Sequence, residues 1–255
     1  MYPHKVLTPF ICILFCTAFL ASCTKNDPLC DCFKSTGSDI SETRPAGHFT
    51  QIQLENKVDL VLTQDTVERI SVTGGKNLID EVETSISGGC LYIRNHSTCN
   101  FMRGFTRRMT VYVSVHHLNT LNYEGAGAVT TTNTLRDSVI DIEALDGSGS
   151  VTLDLNEQVI HANLHTGPSL ITLTGTAPLI YMFSGGNGVI HADNIACPQI
   201  YLTQEGTGDL YIATMPGFAS SLLVGQITAI GNVYCKGRPA NLQQTRTGTG
   251  QLIFF

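Results

Sequence analysis

The 255-residue sequence contains no tryptophan, and charged residues make up only 14% of it. It also lacks a Gly-x-Ser-x-Gly nucleophile turn, a glycine-rich phosphate-binding loop and any Cys-x-x-Cys spacing. These absences argue against a hydrolase of the nucleophile-elbow type, a phosphate-loop protein and a zinc site. The net charge of −6 argues against a nucleic-acid partner, because such proteins present basic surfaces.

Glycine is abundant, with 24 copies, and in the second half of the chain it recurs with a period. A short glycine turn returns about every 20 residues, and a strand-like segment follows each turn. A period of this length is typical of a solenoid of stacked coils. Glycine allows positive φ in a sharp corner, and it has no Cβ to crowd the next coil. The predicted corner glycines are Gly125, Gly127, Gly147, Gly149, Gly186, Gly188, Gly206, Gly208, Gly248 and Gly250.

The residue two positions after each turn is always apolar. Because residues two apart on a strand share a face, we expect this column to point into one continuous core. A second strand precedes each turn, so each coil should contain two strands and two bends, and at least two sheets should form. The first half of the chain is less periodic and is predicted to cap the solenoid. The apolar column consists of Val129, Val151, Ile171, Ile190, Leu210, Val233 and Leu252.

Three positions after the turns, the side chains should point outward. His191, Tyr211 and Tyr234 occupy this position in successive coils. Their rings would then stack into an exposed aromatic strip, which could bind sugars or partner proteins. Alternatively, the stacked rings only stabilise neighbouring coils. The sequence leaves both interpretations open.

The N-terminus has the pattern of a targeting segment. Lys5 is followed by an apolar run that ends at Leu20, as in a signal peptide spanning residues 1–22. The sequence Leu-Ala-Ser before Cys23 resembles the lipobox of bacterial lipoproteins, which implies cleavage before Cys23 and a lipid on its sulfur. Residues 23–46 are predicted to form a flexible tether, and residues 47–255 the folded domain. This indicates an outer-membrane lipoprotein of the cell envelope, on either face of the membrane.

Six cysteines follow Cys23 in the sequence. An even number of cysteines in an exported chain predicts disulfides. Cys90 and Cys99 flank a compact segment and are the best local pair. Cys197 and Cys235 are candidates for a disulfide that joins neighbouring coils.

Four aspartates are candidate catalytic groups, because β-helix enzymes that cleave acidic polysaccharides need carboxylates that converge on one face. The repeat places Asp209 one residue after its glycine turn, and Asp154 and Asp193 five residues after theirs. Asp154 and Asp193 are two coils apart, about 10 Å, which is too loose for a catalytic pair, so no catalytic residue is predicted. His161 and His165 are four residues apart, which on a strand separates them by about 13 Å, so no metal or other cofactor is predicted. The four aspartates are Asp141, Asp154, Asp193 and Asp209.

Three segments precede the serial Gly-x-Gly corners: residues 49–54, 58–62 and 89–93. Their order and period resemble the family called putative auto-transporter adhesin, head GIN domain, which is common among lipoproteins of the Bacteroidetes type. The resemblance covers roughly residues 47–255. It implies an all-β fold, a right-handed parallel β-helix, a role in adhesion and no catalytic residues.

The sequence thus predicts a lipid-anchored, non-catalytic β-helix that presents a surface for adhesion or scaffolding. The expected partners are the membrane, through the lipid on Cys23, and a glycan or protein ligand. The end coils of a solenoid have unpaired strand edges, so a homo-oligomer is also possible. The alternative function is a lyase or hydrolase acting on an acidic or envelope polysaccharide.

Overall fold

The computed structural model describes residues 35–97, 108–215, 217 and 219–255, which form an all-β solenoid of parallel strands. The strands make up two sheets, and a 3₁₀ turn lies at Ile79–Glu81. Over those described ranges, no helix has the length and hydrophobicity needed to span a bilayer.

Sheet A has eleven strands. They are β1 (Asp39–Arg44), β3 (Asp59–Gln64), β4 (Arg69–Gly75), β7 (Thr110–Val115), β9 (Ala128–Thr131), β11 (Ser150–Asn156), β13 (Leu170–Thr176), β15 (Val189–Ala196), β17 (Leu210–Ala213), β19 (Val233–Lys236) and β21 (Leu252–Phe254).

Sheet B has ten strands. They are β2 (Gln51–Asn56), β5 (Val82–Ser87), β6 (Cys90–Asn95), β8 (Thr120–Gly125), β10 (Val139–Ala144), β12 (Val159–Leu164), β14 (Leu179–Ser184), β16 (Gln199–Gln204), β18 (Leu222–Ile227) and β20 (Asn241–Arg246).

From β8 onward the chain winds through seven coils, each passing once through sheet B and once through sheet A. The observed register is the one predicted from the sequence: Val151 pairs with Val129 on one side and with Ile171 on the other. The same column continues through Ile190, Leu210 and Val233 to Leu252. Every member before Leu252 is completely buried, so the predicted continuous core is confirmed.

The glycine corners connect sheet B to sheet A within each coil, and the backbones of successive corners lie in close contact. A Cβ on Gly208 would lie 1.6 Å from the Gly188 carbonyl oxygen, and a Cβ on Gly127 would lie 1.8 Å from the Val58 carbonyl oxygen. None of the predicted corner glycines has a positive φ. At these ten positions the expectation of positive φ was wrong, and close approach of the next coil is the reason for glycine. Gly167, in the corner between β12 and β13, does have a positive φ of 81°.

The opposite bends, which lead from sheet A back to sheet B, accept side chains. Glu157 occupies this position between β11 and β12, and Ala177 occupies it between β13 and β14. Both are buried. We call these connections the wide bends.

The N-terminal strands follow a different path. The coil formed by β2 and β3 lies between two others: β6 and β7 pair with it on one side, and β8 and β9 on the other. The spatial order of the first coils therefore differs from their order in the sequence. Three strands then close this end by antiparallel pairing, β4 with β7, β1 with β4 and β5 with β6. The predicted irregular cap is confirmed, but its interleaved order was not foreseen.

The tether predicted for residues 23–46 is wrong in its second half, because Asp39–Arg44 is strand β1. This strand pairs along its whole length with β4 and covers an edge that would otherwise be open. Arg44 also donates a hydrogen bond to the Ile79 carbonyl oxygen at 3.1 Å. The ordered domain thus begins before residue 47. Residues 1–34, with the predicted signal peptide and Cys23, lie outside the described residues.

The predicted disulfide between Cys197 and Cys235 is also wrong, since both are free, buried thiols. Cys235 lies on β19 in register with Ile212, whereas Cys197 lies in a wide bend and donates to the Gln199 carbonyl oxygen at 3.1 Å. Burial raises the pKa of Cys197 to about 11. Cys90 is likewise a free, buried thiol, and its predicted partner Cys99 lies outside the described residues.

Candidate functional site

The outer face of sheet A carries the aromatic strip that the sequence indicated. The His191 and Tyr211 ring centroids lie 4.3 Å apart with an interplanar angle of 12°, and those of Tyr211 and Tyr234 lie 4.9 Å apart at 11°. The direct register of β15, β17 and β19 aligns the three side chains. Because the rings are nearly parallel and successive, each covers a face of its neighbour. Desolvation, with Asp209 nearby, raises the pKa of Tyr211, which stays a neutral phenol at neutral pH.

A second strip, on the outer face of sheet B, was missed in the sequence. His161, Tyr181 and Tyr201 lie opposite one another on β12, β14 and β16. The His161 and Tyr181 centroids are 5.2 Å apart with a 56° tilt, and those of Tyr181 and Tyr201 are 5.1 Å apart at 28°. The signal was available, because these residues recur at intervals of 20 in the strand that precedes each glycine turn. Tyr181 is 39% exposed.

The sheet B strip ends at Tyr201, within a groove whose lining runs from Asn163 and Tyr181 to Thr245. Tyr201 pairs with Val224, and Val224 with Gln243, so non-aromatic side chains follow the aromatic rings in this outward column. In the next outward column, Phe183 gives way to Thr203 and then to Gln226 in the same manner. The groove has a volume of about 620 Å³. Among the described residues that line it, none is charged.

Histidine–carboxylate pairs lie beside the sheet B strip, on the coils that precede Tyr181. Nδ1 of His161 contacts Asp141 Oδ1, and Nε2 of His165 lies 2.6 Å from Glu143 Oε2. Glu143 also accepts a hydrogen bond from the Asn163 amide at 2.8 Å. Each histidine therefore has a different carboxylate on the preceding coil. The two histidines do not face a common point.

The aspartates considered as catalytic groups are not brought together. Asp154, on sheet A, accepts a hydrogen bond from the Thr134 hydroxyl at 2.5 Å. Asp193 lies at a β-bulge of β15, 3.3 Å from His191 Nδ1, and Asp209 accepts from the Asn232 N–H at 2.8 Å. Asp141 lies on the other sheet. In the part of the chain that the structure describes, no three His, Cys, Asp or Glu side chains form a metal-binding group.

One buried acid was not foreseen from the sequence. Glu157, in a wide bend, is only 1% exposed, and its Oε2 accepts a hydrogen bond from the Asp137 N–H at 2.8 Å. Its Oε1 has no hydrogen-bond partner among the described residues. Desolvation raises the pKa of Glu157 to about 7. The Asp137 carboxylate, in turn, lies 2.5 Å from His117 Nδ1. These three residues lie at a bend, away from both aromatic strips.

The family model described as "Putative auto-transporter adhesin, head GIN domain" matches residues 48–239. The chain belongs to this family. The match includes the capping strands from β2 onward and all but the end of the solenoid.

Several solved structures share the fold of this chain. A putative adhesin from Bacteroides fragilis NCTC 9343 is 20% identical, with a TM-score of 0.74 over 86% of this chain and 97% of that chain. A putative adhesin from Parabacteroides distasonis ATCC 8503 is 20% identical, with a TM-score of 0.65 over 86% and 98%. A putative lipid binding protein from the same strain is 18% identical, with a TM-score of 0.65 over 87% and 98%. These likenesses establish the fold. A search of curated proteins found no match.

Proposed function

We propose that this head GIN domain protein is a non-catalytic β-helix of the cell envelope that presents its outer sheet faces for adhesion or scaffolding. The observation that carries the proposal is the pair of aromatic strips, one on each outer face, aligned coil by coil. Aromatic side chains offer a large contact area at a low cost in conformational entropy, which suits a binding surface. Two structural relatives, each named a putative adhesin, point in the same direction.

The proposal includes an anchor at the N-terminus. A short apolar run ends at Cys23 behind small residues, as in bacterial lipoproteins. We infer that Cys23 carries the lipid and that the domain is held at the outer membrane. Since β1 begins at Asp39, only about 15 residues separate the lipid from the folded domain.

The enzymatic alternative has less support. A polysaccharide lyase or hydrolase would need carboxylates that converge on one groove. The candidate aspartates lie on two sheets and at a corner, and Asp141, Asp154 and Asp209 each have a separate partner. The sheet B groove itself contains no charged side chain among its described lining residues.

The anchor and adhesion are tested together in bacteria that produce the full chain. Cells with the wild-type chain should incorporate radiolabelled palmitate into it and should bind immobilised matrix proteins or polysaccharides above the level of a deletion strain. Cys23→Ala should abolish the label and release the chain from the membrane fraction. Tyr211→Ala combined with Tyr234→Ala should lower adhesion without releasing the chain.

Two outcomes would count against this function. Equal adhesion by the deletion and wild-type strains would remove the adhesive role. Palmitate incorporation that persists in Cys23→Ala would remove the assigned anchor. Proteinase K treatment of intact cells identifies which face of the outer membrane the domain occupies.

A further inference from the structure

We propose that the groove on sheet B is a binding site for uncharged oligosaccharides, with the Tyr201 ring as its stacking platform. The inference rests on the proposed surface-binding function and names the ligand class of one part of that surface. It is carried by three features of the groove: an uncovered ring face, free amide groups and the lack of charge.

The uncovered face belongs to Tyr201. Its ring stacks on that of Tyr181 at 5.1 Å along the solenoid axis, so its second face is directed toward the next coil. There the column continues as Val224, which is smaller than the ring and covers only part of it, so Tyr201 stays half-buried, and no other described ring stacks on that face. The C–H face of a pyranose is apolar and flat, and it packs well on an aromatic ring.

The polar part of the groove suits hydroxyl groups. Gln226 and Gln243 are exposed on β18 and β20, and neither side chain makes a hydrogen bond within the described chain. A side-chain amide offers both donors and an acceptor, so it can bind adjacent hydroxyls of a sugar in either role. The hydroxyl of Thr203 lies on the same lining and adds a further donor and acceptor.

The lack of charged side chains in the described lining of the groove limits the chemical class of ligand that it can bind. Phosphates, uronic acids and sulfated sugars are usually bound by Arg or Lys side chains, and the described lining contains none. The carboxylates nearest along the strip, Asp141 and Glu143, are already paired with His161 and His165. The chain as a whole carries a net charge of −6, which further disfavours an acidic ligand.

The size and rigidity of the groove agree with a short oligosaccharide. Its volume of about 620 Å³ lies within the range of small-molecule sites, about 300–1,000 Å³. From Tyr201 to β20 it spans two coil spacings, about 10 Å. The platform and the amides stand on strands in continuous register, so little order has to be gained on binding.

The test uses the full-length chain in detergent and isothermal titration calorimetry. The uncharged probes are cellotetraose, maltotetraose, mannotetraose and xylotetraose, and the charged probe is tetragalacturonate. We expect at least one uncharged tetrasaccharide to bind, and tetragalacturonate not to bind. Tyr201→Ala should weaken binding about tenfold, equivalent to about 1.4 kcal/mol, because it removes the ring on which the sugar stacks.

Val224→Tyr is the sharper variant, because it leaves Tyr201 in place and extends the strip over the uncovered face. Tyrosine is favourable on a strand, so the melting temperature should be unchanged or higher while binding falls by more than tenfold. Tyr112→Ala is the matched control: this tyrosine is 47% exposed on sheet A, away from the groove, and its loss should leave binding unchanged.

The assignment is overturned if none of the uncharged tetrasaccharides binds, if only tetragalacturonate binds, or if Val224→Tyr binds as the wild type does. Failure of the groove and failure of the proposed function give different results. If cells still adhere through the chain but Val224→Tyr changes neither adhesion nor sugar binding, the groove assignment fails alone. If the purified chain binds the sugar but the deletion strain adheres normally, the adhesive function fails alone.

Discussion

The glycine corners and the wide bends connect the same two sheets at the same coil spacing, yet they tolerate different residues. At a glycine corner, the carbonyl of one coil lies where the Cβ of the next would be, as with Gly188 below Gly208. At a wide bend, Glu157, Ala177 and Cys197 all fit inside. The difference shows that coil spacing alone does not require small residues. They are required only where the backbone itself turns toward the neighbouring coil.

The largest effect should come from adding a methyl group at a glycine corner. Gly208→Ala would place a Cβ 1.6 Å from the Gly188 carbonyl oxygen, and the backbone of two coils would have to move apart. We expect a loss of about 3 kcal/mol or more in the free energy of unfolding, measured by urea denaturation.

Gly225→Ala is the matched control for this substitution. Gly225 lies within strand β18 and has no positive φ, and a Cβ there would first meet Leu202 Cδ1 at 3.4 Å. Its stability should change by less than about 1 kcal/mol, and a gain is possible because glycine is unfavourable within a strand. Equal losses for both variants would show that crowding at the corner is not the reason for glycine.

The next effect should come from the buried acid in a wide bend. Because the pKa of Glu157 is raised from 4.5 to about 7, folding favours its protonated form. The contribution of protonated Glu157 to the free energy of unfolding is complete below pH 4.5, and it is lost as the pH rises to about 7. Glu157→Gln should therefore gain stability relative to the wild type as the pH rises, on the order of 3 kcal/mol at pH 8.

The measurement is the melting temperature of both chains between pH 4 and pH 9. Glu205→Gln serves as the control, because Glu205 is an exposed acid. Its difference from the wild type should not follow the same pH dependence. A Glu157→Gln curve that runs parallel to the wild type across this range would contradict the assignment of a raised pKa.

The smallest effect is expected at Cys197, in another wide bend. The coil below it has Ala177 at the corresponding position, so an alanine side chain already fits this site. Cys197→Ala should lower the free energy of unfolding by about 1 kcal/mol or less, through the lost sulfur contacts and the hydrogen bond to Gln199. A loss above about 3 kcal/mol in urea denaturation would place the wide bends in the same class as the glycine corners.

Sequence reasoning succeeded where the pattern repeats. The apolar column from Val129 to Leu252 and the strip of His191, Tyr211 and Tyr234 follow from strand alternation in a fixed period. Tyr181 and Tyr201 follow the same period, but they lie in the strand before the glycine turn. The groove beside them forms because Val224, in the next coil, is smaller than Tyr201. Such a change in side-chain size along a column can be recognised only once the register of both sheets is known.

Other features could not be read from the sequence for physical reasons. The burial of Glu157 depends on the shape of a bend, which alternation does not describe. Strand β1 resembles a tether because all of its residues except Ile40 are polar. It is held by edge pairing with β4 along its whole length, and only Ile40 packs against the core. The interleaving of the first coils rests on long-range pairing between β2, β6 and β8, which has no local signal.

The interleaved coils also bear on how the chain acquires its structure. The first coil in chain order, β2 with β3, gains one neighbour only from β6 and β7 and the other only from β8 and β9, so it has no finished layer to join. We therefore expect residues up to about 131 to assemble as one cooperative unit. Each later coil needs only the layer just completed, and from that point the molecule can lengthen by adding turns one at a time.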